Sequence, residues 1–160
     1  MKKLFLILAF LITPVFAQSV SEIAKQIPDF DSISCKFRQE KEFSGMVVKS
    51  SGDFVYEKNK GVTFYTTYPI KSTASYTTKE YRHINNVINA ISNKNYSKLE
   101  KDFGFDFVKN SDIWTLKLAP KQSSQAYGYL KTLEISGGKT KINKMIILMC
   151  DGTKTSIWFQ

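Results

Sequence analysis

The chain has 160 residues, a formal net charge of +9, and a composition that is 42% hydrophobic and 14% aromatic. That is enough apolar material for one domain with a substantial core and too little chain for two ordinary domains, and it excludes a low-complexity polypeptide. The basic balance attracts nucleic acid, anionic lipid headgroups and acidic proteins alike, so charge by itself selects no partner.

Residues 1–17, MKKLFLILAFLITPVFA, place Lys2 and Lys3 before an apolar run and end on Val15-Phe16-Ala17. This is the pattern of an export signal cut after Ala17, and the run is too short for a permanent membrane span. The expected mature chain, residues 18–160, carries +7 once Lys2 and Lys3 are removed and reads as a single domain. No cysteine stands in the positions just after Ala17, which argues against lipid attachment there. Export removes most of the case for nucleic acid and leaves an anionic membrane surface or an acidic protein as the more economical partner.

An amphipathic helix comes first. Val20, Ile23, Ala24 and Ile27 share one face, Ser19 and Glu22 have capping-box spacing, and Pro28 stops the element. From Ser32 the period becomes two, with Ile33, Cys35 and Phe37 alternating with Ser34, Lys36 and Arg38. Gly52–Glu57 and Val62–Tyr68 read as a hairpin around Lys58-Asn59-Lys60-Gly61, and Ser72–Thr77 is extended. Between Asn85 and Phe103 the pattern is helical: Ile84, Val87, Ile88 and Ile91 form one stripe, and Leu99 and Phe103 a second. Tyr81 to Ile84 fits either a strand or that helix. Ile113–Leu118, Tyr127–Ile135, Ile142–Cys150 and Thr153–Phe159 complete a set of roughly eight strands, mostly sequential neighbours, which predicts an antiparallel sheet.

Chemical motifs are sparse. Cys35 and Cys150 are the only cysteines. Bonded, they would close nearly the whole domain into one loop and stabilise it by roughly 2–4 kcal/mol; unbonded, they would be small buried apolar residues. With no CxxC, no cysteine–histidine cluster, and His83 the sole histidine, neither a metal site nor redox chemistry is expected. No nucleophile elbow, HExxH helix, phosphate-binding loop or dinucleotide fingerprint occurs, so no catalytic residue and no cofactor is assigned. The carboxylates Asp29, Asp31, Glu40, Glu42, Asp53 and Glu57 read as surface charges. Basic and aromatic residues interleave in Lys36-Phe37-Arg38, but a strand with one buried face already requires that alternation, so nucleic-acid binding is not expected.

The informative feature is apolar character on both faces of some strands. In Met145-Ile146-Ile147-Leu148-Met149-Cys150 both alternating sets are apolar. A second apolar face belongs either to a strand buried on both sides or to a surface awaiting a cover or a ligand.

Ser32-Ile33-Ser34-Cys35-Lys36-Phe37-Arg38-Gln39, then Gly52-Asp53-Phe54-Val55-Tyr56-Glu57-Lys58-Asn59-Lys60-Gly61-Val62-Thr63-Phe64 and Pro69, resemble the periplasmic lipoprotein carrier family LolA. Phe37 and Gln39 stand for its Phe-x-Gln, followed by a glycine-led strand, a basic turn, an aromatic strand and a proline. Trp114-Thr115-Leu116-Lys117-Leu118-Ala119-Pro120 is similar to its Trp-x-Leu-x-Leu-x-Pro strand, and Ile142 through Phe159 to its closing strand pair around Asp151-Gly152.

The resemblance implies a mainly β protein with α segments: a half-open, incomplete antiparallel β-barrel closed by short helices, acting as a monomer in the periplasm. It implies a chaperone that takes acylated lipoproteins from an inner-membrane lipoprotein-releasing ABC transporter to an outer-membrane receptor, without bond chemistry. The cavity candidates are Phe37, Phe54, Tyr56, Phe64, Trp114, Leu116, Ile146 and Leu148, with Val20, Ile23, Ile27, Val87, Ile88 and Ile91 on the lid. Familiar members latch the lid with an arginine in the turn after the glycine-led strand. Here Lys58 stands there, keeping the charge without the planar fork, and Arg38 is the substitute candidate. Chain end at Gln160 precedes an extension that some lipoprotein carriers have. That departure and Lys58 keep two alternatives in view: a carrier of another amphiphile such as a glycolipid, and a periplasmic protein-binding module.

Overall fold

The computed structural model describes residues 19–75 and 82–160; the expected export signal, the last two residues of the predicted Ser72–Thr77 strand and Tyr81 lie outside them. Helix α1 (Val20–Gln26) starts at the expected capping box, in which Ser19 Oγ accepts from the Glu22 N–H and the Glu22 carboxylate accepts from the Ser19 N–H at 3.0 Å. β1 (Ser32–Phe43) and β2 (Met46–Glu57) form a long hairpin through Ser44 and Gly45, both at positive φ. β3 (Gly61–Tyr68) and β4 (Ser72–Ser75) follow, then helices α2 (Arg82–Ser92) and α3 (Tyr96–Asp102). β5 (Phe103–Asn110), β6 (Ile113–Pro120), β7 (Leu130–Gly137), β8 (Ile142–Met149) and β9 (Lys154–Phe159) complete the chain.

All nine strands lie in one antiparallel sheet, in the order β4-β3-β2-β1-β9-β8-β7-β6-β5. Neighbours in space are neighbours in sequence except at β1 and β9, where the two ends of the chain meet with Phe37 opposite Phe159 and Glu42 opposite Lys154. β4 and β5 are the free edges, so the sheet is not closed. The helices α2 and α3 are inserted in sequence between those two edges and pack on the inner face. The result is a mainly β, half-open antiparallel barrel covered by short helices.

Two glycines let the sheet bend. At Gly52 the β2–β3 register shifts, and a Cβ there would lie 2.0 Å from the Tyr65 carbonyl oxygen. At Gly137 the β7–β8 register shifts, and a Cβ would lie 2.5 Å from the Trp114 ring. Trp114 holds this second site by donating its indole N–H to the Gly138 carbonyl at 2.9 Å. Bulges of this kind raise local twist and curvature, and only a residue without a side chain tolerates such close approach.

Several sequence expectations are corrected. Among the described residues there are nine strands rather than roughly eight, because β5 was hidden beside the helical stripe. Phe103 belongs to β5 and caps α3 rather than extending it, and Phe103-Gly104-Phe105-Asp106-Phe107 has the period of a strand. β2 begins at Met46, six residues before the expected Gly52, and Tyr127–Tyr129 is a turn. Arg82–Ile84 is helical. Cys35 and Cys150 are both free. Cys35 precedes the Phe37–Phe159 pair and Cys150 follows the Leu148–Lys154 pair, so the five steps from Lys154 to Phe159 alone separate them in height. That is about 17 Å at 3.4 Å per residue, whereas a disulfide needs Cα atoms within about 7 Å.

A lidded apolar face as the candidate functional site

The register sorts every strand into an inner and an outer set. Phe37, Phe54, Tyr56 and Phe64 lie on the inner face at 0–3% exposure, and Trp114 and Leu116 join the same buried cluster from β6. Four rings of the floor form a chain: Phe37 meets Phe64 edge-on at 5.2 Å between ring centroids, and Phe54 lies 4.9 Å from Phe64 and 4.7 Å from Phe159; beside them Phe30, ahead of β1, meets Tyr56 at 6.0 Å.

Ile146 and Leu148 do not join this floor. They face outward, Ile146 beside Ser156 and Glu134 and Leu148 beside Lys154 and Thr132. Met145 takes the inner position opposite Ile157 and Ile135, and Ile147 and Met149 pack beside it. An all-apolar strand carries no phase of its own, but Lys144, two residues before Ile146, marks the outer set. The chain therefore contains apolar residues on both faces of β8, and only one set belongs to the enclosed cluster.

The cover comes from all three helices. Ile23 and Ile27 from α1 and its end, Val87, Ile88 and Ile91 from α2, and Leu99 from α3 are buried in the same cluster as the floor, with Val20 packed against it. Ile84 and Tyr96 join them. Floor and lid thus fill one another, and the inner face is closed.

Polar contacts hold the lid at a few points. Asn85 Oδ1 accepts from the Val62 backbone N–H and from Asn89 Nδ2, each at 3.2 Å. Tyr56 donates its hydroxyl to Asn89 Oδ1 at 3.1 Å, and the Ser92 hydroxyl donates to the Phe30 carbonyl at 2.7 Å. Lys94 follows α2 in the left-handed region, at φ 54, and reaches across to α1. Its ammonium donates to the carbonyls of Ala24 (3.1 Å) and Ile27 (2.5 Å) and pairs with Asp29 at 3.1 Å. It thereby occupies the carbonyls that the end of α1 leaves open.

Among the described residues, the partners of the two latch candidates lie outside the helices. Lys58 pairs with Asp31 at 3.0 Å, and that carboxylate holds its ammonium above the usual lysine range. With a backbone bond from Lys58 to the Asp31 carbonyl at 2.8 Å, it ties the β2–β3 turn to the segment joining α1 and β1. Arg38 is on the outer face, 5.0 Å from the centre of the Trp158 ring, whose other neighbour is Lys144. The residue that bridges two lid segments is Lys94, which sequence reasoning missed. Its signal was the Asn93-Lys94-Asn95 break between two helical stripes, although the positive φ falls on Lys94 and not on either asparagine.

Two buried polar atoms have no partner among the described residues: Tyr96 Oη in the lid and Gln39 Oε1 on the inner face of β1. Burial pushes the Tyr96 phenol well above its usual range. His83, at the start of α2, shares a hydrogen bond with the Tyr129 hydroxyl, and burial and Arg82 hold its imidazole below the usual histidine value. An open groove of about 510 Å³ lies between Asp31–Ser34 and Val55–Lys58, where β1 begins and β2 ends. Among the described residues, no helix is long and apolar enough to cross a membrane, and no group of three or more His, Cys, Asp or Glu could hold a metal.

No protein-family model and no curated protein matches the chain. Among solved structures, a LolA superfamily protein from Nitrosomonas europaea is similar over 90% of this chain and 92% of its own, at 10% sequence identity and a TM-score of 0.44. At that level the functional reading stands on the site itself.

Proposed function

We propose that this chain is a periplasmic carrier that shelters the acyl chains of lipoproteins between the inner and outer membranes. The observation that carries the reading is an aromatic and aliphatic sheet face, closed by helices that a handful of polar bonds hold in place. Each CH₂ removed from water gains about 0.8 kcal/mol, so an acyl chain can replace the lid's own isoleucines at little net cost once the lid swings aside. Reversible burial of this kind needs no catalytic group. The ordered sequence resemblance from Ser32 to Pro69 and from Trp114 to Phe159 supports the same reading. In it, an inner-membrane ABC transporter supplies the cargo and an outer-membrane receptor accepts it.

The test is native mass spectrometry of the mature protein recovered gently from the periplasm, followed by denaturing identification of whatever is bound. Triacylated lipoprotein is the expected cargo. A free glycolipid would move the assignment to a carrier of another amphiphile. A stable protein complex without acylated cargo would replace it with a protein-binding module.

A further inference from the structure

Gln39 breaks an apolar row. Across the inner face, the rung that starts at Ser50 continues through Gln39, Ile157, Met145, Ile135 and Leu116. From Ile157 onward every member is aliphatic and at most 1% exposed. On one side of this rung stand Phe37 and Phe159, inside the closed cluster; on the other stand Lys41 and Thr155, half-buried. Gln39 therefore marks the line at which the inner face passes from aromatic to polar.

Its amide is held at one end only. Nε2 donates to Ser50 Oγ at 3.3 Å, which fixes the side chain along the rung, while Oε1 is buried and has no partner among the described residues. A buried acceptor left without a donor is costly and calls for an explanation in a native protein. A leucine or methionine would fill the position without that cost.

We infer that Gln39 reads the linkage of the cargo, accepting a hydrogen bond from an N–H at the junction between acyl chain and headgroup. The inference rests on the acyl-carrier reading and narrows it to amide-linked acyl amphiphiles. With the acyl tail among Phe37, Phe54 and Phe64, an amide at the junction falls at the Gln39 rung and the headgroup continues toward Lys41 and Thr155. The N-acylated end of a polypeptide supplies such a donor. An ester junction, as in an acylglycerol, offers only acceptor oxygens there and leaves Gln39 Oε1 unpaired.

The experiment compares N-dodecanoylglycine with dodecanoyloxyacetic acid, two probes of equal tail and charge that differ only in an amide N–H against an ester oxygen. Calorimetric titration of the mature protein below the micellar concentration is expected to show the amide bound roughly tenfold more tightly, the factor that one buried unpaired acceptor implies. In Gln39→Met the tenfold preference disappears, and a retained cooperative thermal transition shows that the variant is folded. Equal affinities in the original protein, or a preference that survives Gln39→Met, would overturn the inference while leaving the acyl-carrier reading intact. Binding of neither probe would overturn both.

Discussion

On the inner face of the sheet, Phe54, Phe64, Leu116 and Ile157 are at most 1% exposed and belong to one apolar cluster; on the outer face of the same strands, Lys36 pairs with Asp53, Lys49 with Glu40 and Lys154 with Glu42 across the ladder. The outer face is finished by its own cross-strand partners and water. The inner face is finished only when helices lie on it, because aromatic surface has no such local remedy. An element recruited as cover can also be displaced, and the lid's few polar bonds set how readily.

The most severe test of this contrast is Phe64→Asp. Phe64 is 1% exposed and lies against Phe37 and Phe54, so an unpaired carboxylate there costs about 4 kcal/mol or more. That is a large part of a typical stability of about 5–15 kcal/mol. An unchanged urea midpoint would break the picture of a closed inner face.

Ile88→Ala and Ile146→Ala make the same truncation under the lid and on the outer face. Ile88 is 0% exposed and should lose about 2–4 kcal/mol, while Ile146 should lose about 1 kcal/mol or less in the same urea titration. Equal losses would erase the distinction between the faces.

Lys94→Met keeps the aliphatic stem but leaves the Ala24 and Ile27 carbonyls without their donor. The expected cost is about 1–2 kcal/mol, read as an acceleration of amide exchange by roughly 5–30-fold in α1 but not in β9. Uniform acceleration along the chain would mean that Lys94 supports the whole fold rather than the lid.

The smallest effect has the opposite sign. Tyr96→Phe removes a buried hydroxyl that has no partner among the described residues, and should raise stability by about 1 kcal/mol. Burial keeps the Tyr96 phenol protonated in the fold, while in the unfolded chain it ionises near pH 10. The unfolded state therefore binds fewer protons above about pH 10, and stability falls as pH rises there. Tyr96→Phe should flatten that alkaline limb in a pH series of melting temperatures, and an unchanged limb would assign it to other groups.

Where two structural levels agreed, the sequence was readable. The Ser19–Glu22 box, the Ile33-Cys35-Phe37 alternation and the Asn59–Gly61 turn are local signals that tertiary packing reinforced. The stripe Val87, Ile88, Ile91 gave α2 its buried side. Where the signal was local but ambiguous, it misled. Phe103 satisfies the α3 stripe and also starts the β5 alternation, and only pairing with Pro120 decides between them. In β8 the absence of polar residues after Lys144 removed the phase, so Ile146 and Leu148 were assigned to the wrong side. The polar bonds of the lid were beyond reach, because Lys94 to Ala24 and Tyr56 to Asn89 join residues far apart in sequence that only the fold brings together.

Gly52 and Gly137 sit on β2 and β7, each the third strand from its own edge of the sheet. The sheet thus has two crease lines with β1, β9 and β8 forming the panel between them, a span of four strand spacings or about 19 Å. The gauge of the trough is therefore set by strand count and not by side-chain size. Lengthening β1 or β9 changes its length, and trimming β4 or β5 changes the height of its walls. Only an extra hairpin inserted between the creases would widen it for a cargo of different girth.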